Sequence, residues 1–512
     1  MATEVELKLS IAPDDVEKLL QHPVWQKVVR RELMPQQLLS VYYDTPEFDL
    51  YKNRIALRLR RAGNRWIQTV KTQGRVAGGL HQRAEWETET EENQLNFAAL
   101  TNPVVSEFFA DPKIRQTLRP VFVTDFRRSI TLLEFADGSM VEFALDQGEI
   151  RADDQRLPLG EVEFELKAGD PARLFWLALE FLTTIPLKVE NVSKAERGYN
   201  LLCPSVLDPV KAHSPELTGQ ESVSEAFLCI VQAELVHLQA NEAGALAGED
   251  PEFVHQMRVA LRRMRSAISV FSALVVQQED SGTIRTELRW LTNELDAARN
   301  WDVFVLSTLP PILSAFSEQR GLTELHTRSE EIRQREIQRV RAAVASPRYQ
   351  RLLLTLGAWL CTQPWRTSAN AQAQELCDVS VVSFARQMLR KRHKQLKKRG
   401  KHLTGCSPEQ RHNIRITTKK LRYAAEFFSS LYPRKRTHRY VAALTELQDV
   451  LGTLNDAATT MLLMHDVTTV TQGEALLQAK STVLGWAGGM SHALETELER
   501  AWNNFATQKV FW

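Results

Sequence analysis

EVELKL, residues 4–9, alternates charged and apolar side chains without a break. Successive side chains of a strand point to opposite sides, so Glu4, Glu6 and Lys8 share one face, and Val5, Leu7 and Leu9 the other. A half-buried strand with one wet face has this pattern. The question is whether two carboxylates and an ammonium face solvent or an interior. Other runs bear on it. The same parity groups Arg58 with Arg60, Arg83 with Glu85 and Glu87, Glu142 with Asp146, and Glu161 with Glu163 and Glu165. Lys71 and Arg128 fall in runs of mixed pattern. A wet sheet face carries a scatter of Ser, Thr, Lys, Gln and Glu; here Glu and Arg dominate, repeatedly in i, i+2 pairs. A sheet closed on itself would turn these faces into a lining.

A lining dense in both signs needs a ligand of matching chemistry. Arg and Lys donate to phosphate oxygens, Arg in a bidentate fork. Acids repel a polyphosphate unless a divalent cation lies between them, and Mg²⁺ binds through one or two carboxylates plus substrate phosphates. The two signs together therefore suggest a metal–polyphosphate site.

The chain has 512 residues, which predicts two or three domains. It is 43% apolar and 25% charged, a soluble globular composition, with a net charge of +1. The cysteines at 203, 229, 361, 377 and 406 form no CxxC pair, which argues against a zinc site or a disulfide framework and for a reducing cytosol. No secretory signal pattern opens the chain, and no apolar run approaches a membrane span. Up to about residue 202, short alternating runs follow one another: EVELKL, IALRLRR, WIQTVKT, RAEWETET, SITLLEF, MVEFALD and GEVEFEL. Asp137-Gly138 predicts a hairpin. Helices are expected near Pro13 and over DPARLFWLALEFL, which makes residues 1–202 an antiparallel α+β domain. Residues 203–220, with Pro204, Pro209 and Pro215, are the expected linker. Beyond it, over 221–505, long 3.6-period segments predict an all-helical domain.

The helical half contains a repeat, with units starting near 225 and near 380. His255, Arg258, Arg262, Arg263 and Arg265 match His412, Arg415, Lys419, Lys420 and Arg422 in spacing, and Asp302 matches Asp456 downstream. This predicts two related helical bundles. In each basic helix the first, second, third and last of those five residues span ~80° of one face. RQMLRKRHKQLKKRGKH, residues 386–402, contains no acid. Such density favours a polyanion partner, with nucleic acid as one candidate, although few aromatics interleave with it.

Glu4-x-Glu6-x-Lys8 resembles the ExExK signature of the CYTH superfamily. Further landmarks follow in order: Arg58-x-Arg60, Lys71, Arg83 with Glu85, Arg128, Asp146, the Glu161/163/165 run, Ser193-Lys194 and Arg197-Gly198-Tyr199. GGLHQRAEW and SKAERGY are most similar to bacterial inorganic triphosphatases of that superfamily. The resemblance implies an eight-stranded antiparallel β-tunnel that hydrolyses inorganic triphosphate with Mg²⁺ or Mn²⁺. It implies phosphate binding by Lys8, Arg58, Arg60, Lys71, Arg83, Arg128, Lys194 and Arg197. Glu4, Glu6, Asp146, Glu163 and Glu165 are the implied metal ligands, and Glu4, Glu6, Lys8, Lys71 and Asp146 the implied catalytic group. Adenylate cyclase and thiamine triphosphatase activity use the same tunnel, and a non-catalytic polyphosphate scaffold is the rival outside enzymes. The repeated H-x-x-R-x-x-x-[KR]-[KR]-x-R helices resemble the CHAD domain. That implies inorganic polyphosphate binding through His255, Arg258, Arg262, Arg263, Arg265, His412, Arg415, Lys419, Lys420 and Arg422. A cytoplasmic protein, associated with polyphosphate granules and with no membrane partner, is the corresponding expectation. Every tunnel residue named lies before Pro204, so the two halves are expected to separate functionally.

Overall fold

The computed structural model describes residues 3–72, 74–91, 94–100, 102–204, 206–275, 279–367, 370–403, 406–468 and 473–512. Two compact units result: Met1–Leu207 with Ser346–Thr362, and Asp208–Ala345 with Gln363–Trp512. Among the described residues no helix is long and apolar enough to cross a membrane.

In the first unit eight strands close a ring. They are β1 (Thr3–Ser10), β2 (Met34–Asp44), β3 (Ile55–Ala62), β4 (Arg65–Thr72), β5 (Leu80–Thr90), β6 (Arg119–Glu134), β7 (Met140–Ala152) and β8 (Gln155–Ala168). The order is β1-β8-β7-β6-β2-β3-β4-β5, antiparallel throughout. Pairing of β5 back to β1, with Glu4 opposite Arg83 and Glu6 opposite His81, closes it. The antiparallel tunnel expected of the sequence is present, and so is the helical region after it.

β1 is buried on both faces. Leu7 and Leu9 are 0% exposed, while Glu6 and Lys8 are 3% and 4% exposed. The charged face is therefore an interior, not a wet surface. On the outside, Leu7 and Leu9 pack with Phe143, Val162, Phe164 and helix α1 (Ala172–Phe181). Asp137-Gly138 makes the β6–β7 hairpin, with Gly138 at φ +83°, a conformation glycine adopts without steric cost. Helix α2 (Lys194–Leu202) starts on a capping box of Ser193 and Glu196. β2 is the strand the sequence pattern does not signal. Leu38, Tyr42 and Tyr43 are buried on its two faces, so alternation is lost there.

In the second unit the repeat is visible as helices. The first half holds α3 (Val223–Ala240), α4 (Pro251–Val270), α5 (Glu279–Val303) and α6 (Arg320–Val344). After an intervening helix α7 (Pro347–Thr362), the second half holds α8 (Val381–Arg399), α9 (Pro408–Phe427), α10 (Arg434–Thr468) and α11 (Glu474–Thr507). The two basic helices start alike. Asp250 precedes Pro251 and Ser407 precedes Pro408, each capping the helix with its side chain and with proline in the first turn.

Helix α7 departs from the expected division, in which 221–505 is one domain. It belongs to the tunnel unit. Leu354 enters the core formed by Leu7, Leu9 and Phe175, with Ala358 and Cys361 packed against it, and Gly357 lies against the Phe175 ring. Gln350, Leu354, Gly357, Ala358 and Cys361 fall on one helix face, so the cause is a largely apolar stripe whose partners are α1 and the Lys188–Val189 segment.

Candidate active site and basic cluster

The inward faces of the ring gather the charged residues into a network. Lys8 Nζ lies 2.6 Å from Glu163 and 3.0 Å from Glu6. Arg83 bonds Glu4 at 3.2 Å and Glu6 at 2.8 Å. Lys71 lies 3.1 Å from Glu4 and 2.9 Å from Glu85, and Arg58 is 3.5 Å from Glu85. Arg128 donates to both Asp146 oxygens at 2.6 Å and also meets Glu163. Lys194 is 2.8 Å from Asp146 and from Glu163 and also contacts Glu161, which Arg197 bonds as well. Two candidates stand apart. Glu165 pairs with Lys167 at 2.8 Å and keeps 28% of its side chain exposed. Arg60 donates to Ser40 Oγ at 3.2 Å and has no ion pair among the described residues.

The electrostatics follow from these contacts. Burial pushes the Glu163 carboxyl up, but Arg128, Lys194 and Lys8 outweigh it and hold it well below the usual carboxylate range. Asp146 is likewise lowered, by Arg128 and Lys194 against burial. Burial wins at Glu161, whose carboxyl is raised. Burial, with Arg83 and Arg58 nearby, lowers the Lys71 ammonium. Burial beside Arg58 and Arg128 also disfavours the Arg60 charge. Arg60 thus presents a half-buried guanidinium with no direct ion pair among the described residues, with Asp146 acting on it only at longer range.

Asp146, Glu161 and Glu163 each offer an oxygen within 4.8 Å of the others, and all three are buried. Hard carboxylate oxygens suit Mg²⁺ or Mn²⁺, and the donor set fits such an ion. Asp146 and Glu163, held ionised, are the stronger ligands of that group. Glu4 and Glu6 supply a second pair of carboxylates, bridged by Arg83.

In the second unit the two basic helices face each other. Arg258 and Arg262 of α4 and Arg415, Lys419 and Arg422 of α9 form one cluster, close enough that Arg262, Arg415, Arg258 and Arg422 all act on Lys419. Burial first, then these four cations, pushes the Lys419 ammonium down to about 6. Asp296 bonds Arg258 at 2.5 Å and lies 3.5 Å from Arg262. Arg422 bonds Glu426 and Gln448 at 2.7 and 2.9 Å. Arg415 Nε and His255 Nδ1 are buried with no hydrogen-bond partner among the described residues. Burial, then Arg299, lowers the His255 imidazole to about 4. His412 and Arg265 are exposed.

The CYTH domain family matches residues 2–199, and the CHAD domain family matches residues 229–465. The chain belongs to the CYTH–CHAD proteins. An inorganic triphosphatase of Haemophilus influenzae is 35% identical over 206 residues, 39% of this chain and 55% of that one, so the match spans about half of that relative's length. An uncharacterized protein of Mycobacterium tuberculosis is 28% identical over 422 residues, 78% of this chain and 77% of the other. Among solved structures, the CHAD domain from the plant Ricinus communis is 34% identical with a TM-score of 0.53, covering 60% of this chain and 99% of that one.

In this CYTH–CHAD protein the basic repeat is not symmetric, and one expected binding residue lies outside the cluster. Arg263 is 3% exposed; it bonds Glu234 at 2.7 Å, Glu426 at 2.5 Å and Ser214, and stacks over Phe427. One residue past Arg262 is a 100° turn, which carries Arg263 out of the cluster and into the helix packing. Its counterpart Lys420 is exposed, near Arg392, Arg399 and Arg265. Asp302 and Asp456, equivalent in the repeat, also diverge: Asp302 bonds Arg333 at 2.8 Å, whereas Asp456 lies by Arg415 and Lys419. The CYTH half also holds a residue the sequence reading missed. Tyr42 stands on the inner face of β2 opposite Arg58, stacked on Phe122 at 4.4 Å. Burial raises its hydroxyl, but Arg58 and Arg60 pull it below its ordinary value. No signal marks it, because β2 itself shows no alternation.

Proposed function

We propose that the tunnel hydrolyses inorganic triphosphate to pyrophosphate and phosphate with Mg²⁺ or Mn²⁺, and that the basic cluster of the helical domain binds inorganic polyphosphate. The observation that carries the first part is the closed ring whose interior interleaves buried carboxylates with buried cations, beside an Arg60 that makes no direct ion pair among the described residues. Similarity to an inorganic triphosphatase supports it. Triphosphate is strongly anionic, so attack by water meets repulsion. Lys8, Arg58, Arg60, Lys71, Arg83, Arg128, Lys194 and Arg197 would take its non-bridging oxygens, orient the chain of phosphates, and stabilise charge that grows in the transition state. These cations, now paired with carboxylates, would exchange them for phosphate oxygens. Asp146, Glu163, Glu4 and Glu6 are the residues proposed to hold the metal, which neutralises phosphate charge and acidifies bound water. Burial of Lys8, Arg58, Lys194, Asp146 and Glu163 strengthens these contacts.

For the helical domain, the Arg415 Nε donor, unpartnered among the described residues, and the suppressed Lys419 charge support an anion between α4 and α9. The test is one panel: purified protein with Mg²⁺ or Mn²⁺, offered triphosphate, ATP, thiamine triphosphate and long-chain polyphosphate. Phosphate and pyrophosphate released one to one, and fastest from triphosphate, are expected. Faster turnover of ATP or thiamine triphosphate would replace the assignment. Turnover of none, with polyphosphate still bound, would make the chain a scaffold.

A further inference from the structure

Helix α7 lies inside the CHAD match, yet it belongs to the tunnel unit. Its Gln350 is 3% exposed and accepts through Oε1 from the Val189 amide at 2.8 Å. Lys188 and Val189 form a short strand paired with Ser10 and Leu9 of β1. The amides of such an edge strand point alternately toward its neighbour and away from it. Glu190 N points inward and donates to Lys8 O at 2.9 Å; Val189 N points outward, where Gln350 meets it.

The same segment crosses the seam on which the ring closes. Glu190 O lies 2.9 Å from His81 Nε2, and Asn191 Oδ1 accepts from Gly79 N at 3.0 Å. Gly79 O in turn accepts from Lys8 N at 3.0 Å. Gly79 sits at φ +80°, and a Cβ there would come within 2.8 Å of Val189 Cγ1 and 3.1 Å of Lys8 O, so the seam has no slack. The Glu190 carboxylate is 3.8 Å from Arg197, which also bonds Glu161. Burial, then Lys8, lowers the His81 imidazole to about 4, so it stays neutral and donates to Glu190 O from Nε2. Residues 188–191 are thus a strap that fixes the backbone of Lys8 on one side and the Arg197 guanidinium on the other. Its outward amide is held by one side chain of α7.

We infer that Gln350 is a positioning residue of the tunnel, acting through the 188–191 strap on Lys8 and Arg197. This rests on the triphosphatase reading above. A residue far along the chain from every tunnel charge then governs turnover, because small misplacements of a phosphate-binding group are costly to rate.

The experiment uses the full chain. Gln350→Met keeps the shape and loses the acceptor, and Gln350→Glu keeps an acceptor. Turnover of triphosphate at saturating Mg²⁺ is measured beside hydrogen exchange of the peptide spanning residues 186–193. For Gln350→Met, kcat is expected to fall by about tenfold with KM within about threefold, as misplacement of a transition-state contact predicts, while the 186–193 amides exchange faster. For Gln350→Glu both readouts are expected near the parent. Parent-like kcat in Gln350→Met overturns the inference, and so does a loss of kcat without faster exchange. Equal losses in both variants would mean bulk packing and also overturn it. Should Gln350→Met fail to fold, Gln350→Asn, one methylene short of Val189, takes its place with the same expected outcomes. An inactive parent would sink the triphosphatase reading alone. Exchange would still decide the strap: faster in Gln350→Met but not in Gln350→Glu supports it, and unchanged exchange overturns it.

Discussion

Glu4 is the cleanest single probe of the tunnel. Glu6, Glu163 and Lys8 are buried within mutual ion pairs, and removing one partner of such a pair costs roughly 3–5 kcal/mol, enough to confuse loss of activity with loss of fold. Glu4 keeps 14% of its side chain exposed and holds Lys71 and Arg83 at 3.1 and 3.2 Å. Glu4→Gln is expected to cut triphosphate turnover by more than about tenfold, over 1.4 kcal/mol in the barrier, with an unchanged melting temperature. Parent-like turnover would remove Glu4 from the chemistry. Lys419 sets a pH dependence for the other site. Its pKa is about 6 in the empty cluster, and a bound polyanion raises it, so binding takes up a proton. Polyphosphate affinity is therefore expected to rise as pH falls from 8.5 toward 6, by up to about tenfold per pH unit for one proton, and to level off below. Lys419→Met should flatten that slope in binding titrations. Parity alone made the inward charges legible. It left Glu161, Glu163 and Glu165 indistinguishable, because all three share a face; their separate partners Arg197, Arg128 and Lys167 tell them apart. The 100° step from Arg262 to Arg263 was legible, since the face shared by His255, Arg258, Arg262 and Arg265 leaves Arg263 out, but its partners Glu234 and Glu426 were not.

At the scale of elements, strands with one charged and one apolar face announced themselves, and β2, apolar on both sides, did not. The pairing of the two basic helices was half legible. Matching spacing gave the repeat but not its geometry, which turns two expected faces into one cluster. Helix α7 was the element whose location the sequence hid. Its stripe from Gln350 to Cys361 is an ordinary amphipathic pattern, and nothing local says that its partners are α1 and the Lys188–Val189 segment, far earlier in the chain. Leu354 is 0% exposed in that shared core. Leu354→Ala is expected to cost about 2–5 kcal/mol, appearing as faster hydrogen exchange in β1 and α1. Unchanged exchange there would mean that α7 contributes little to the tunnel.

For the whole molecule, the two sites are expected to answer different treatments. Chelation of divalent metal should abolish phosphate release and leave polyphosphate binding intact. Added salt should weaken polyphosphate binding steeply, because contacts to a linear polyanion release counterions. Loss of polyphosphate binding on chelation would place metal at both sites. The expectation that a protein ending near Pro204 keeps its activity gives way to another. Such a truncation lacks Leu354 and Gln350, so it is expected to be less stable than the full chain and to turn over triphosphate more slowly. Full activity in the truncation would contradict this. The position of α7 has one more consequence, for biosynthesis. A ribosome adds about 5–20 residues each second, so the stretch between Leu207 and Thr362 takes on the order of 10–30 s. Throughout that interval the nascent barrel waits with the Phe175 side of α1 uncovered by α7, and chaperones have their best chance to hold it then.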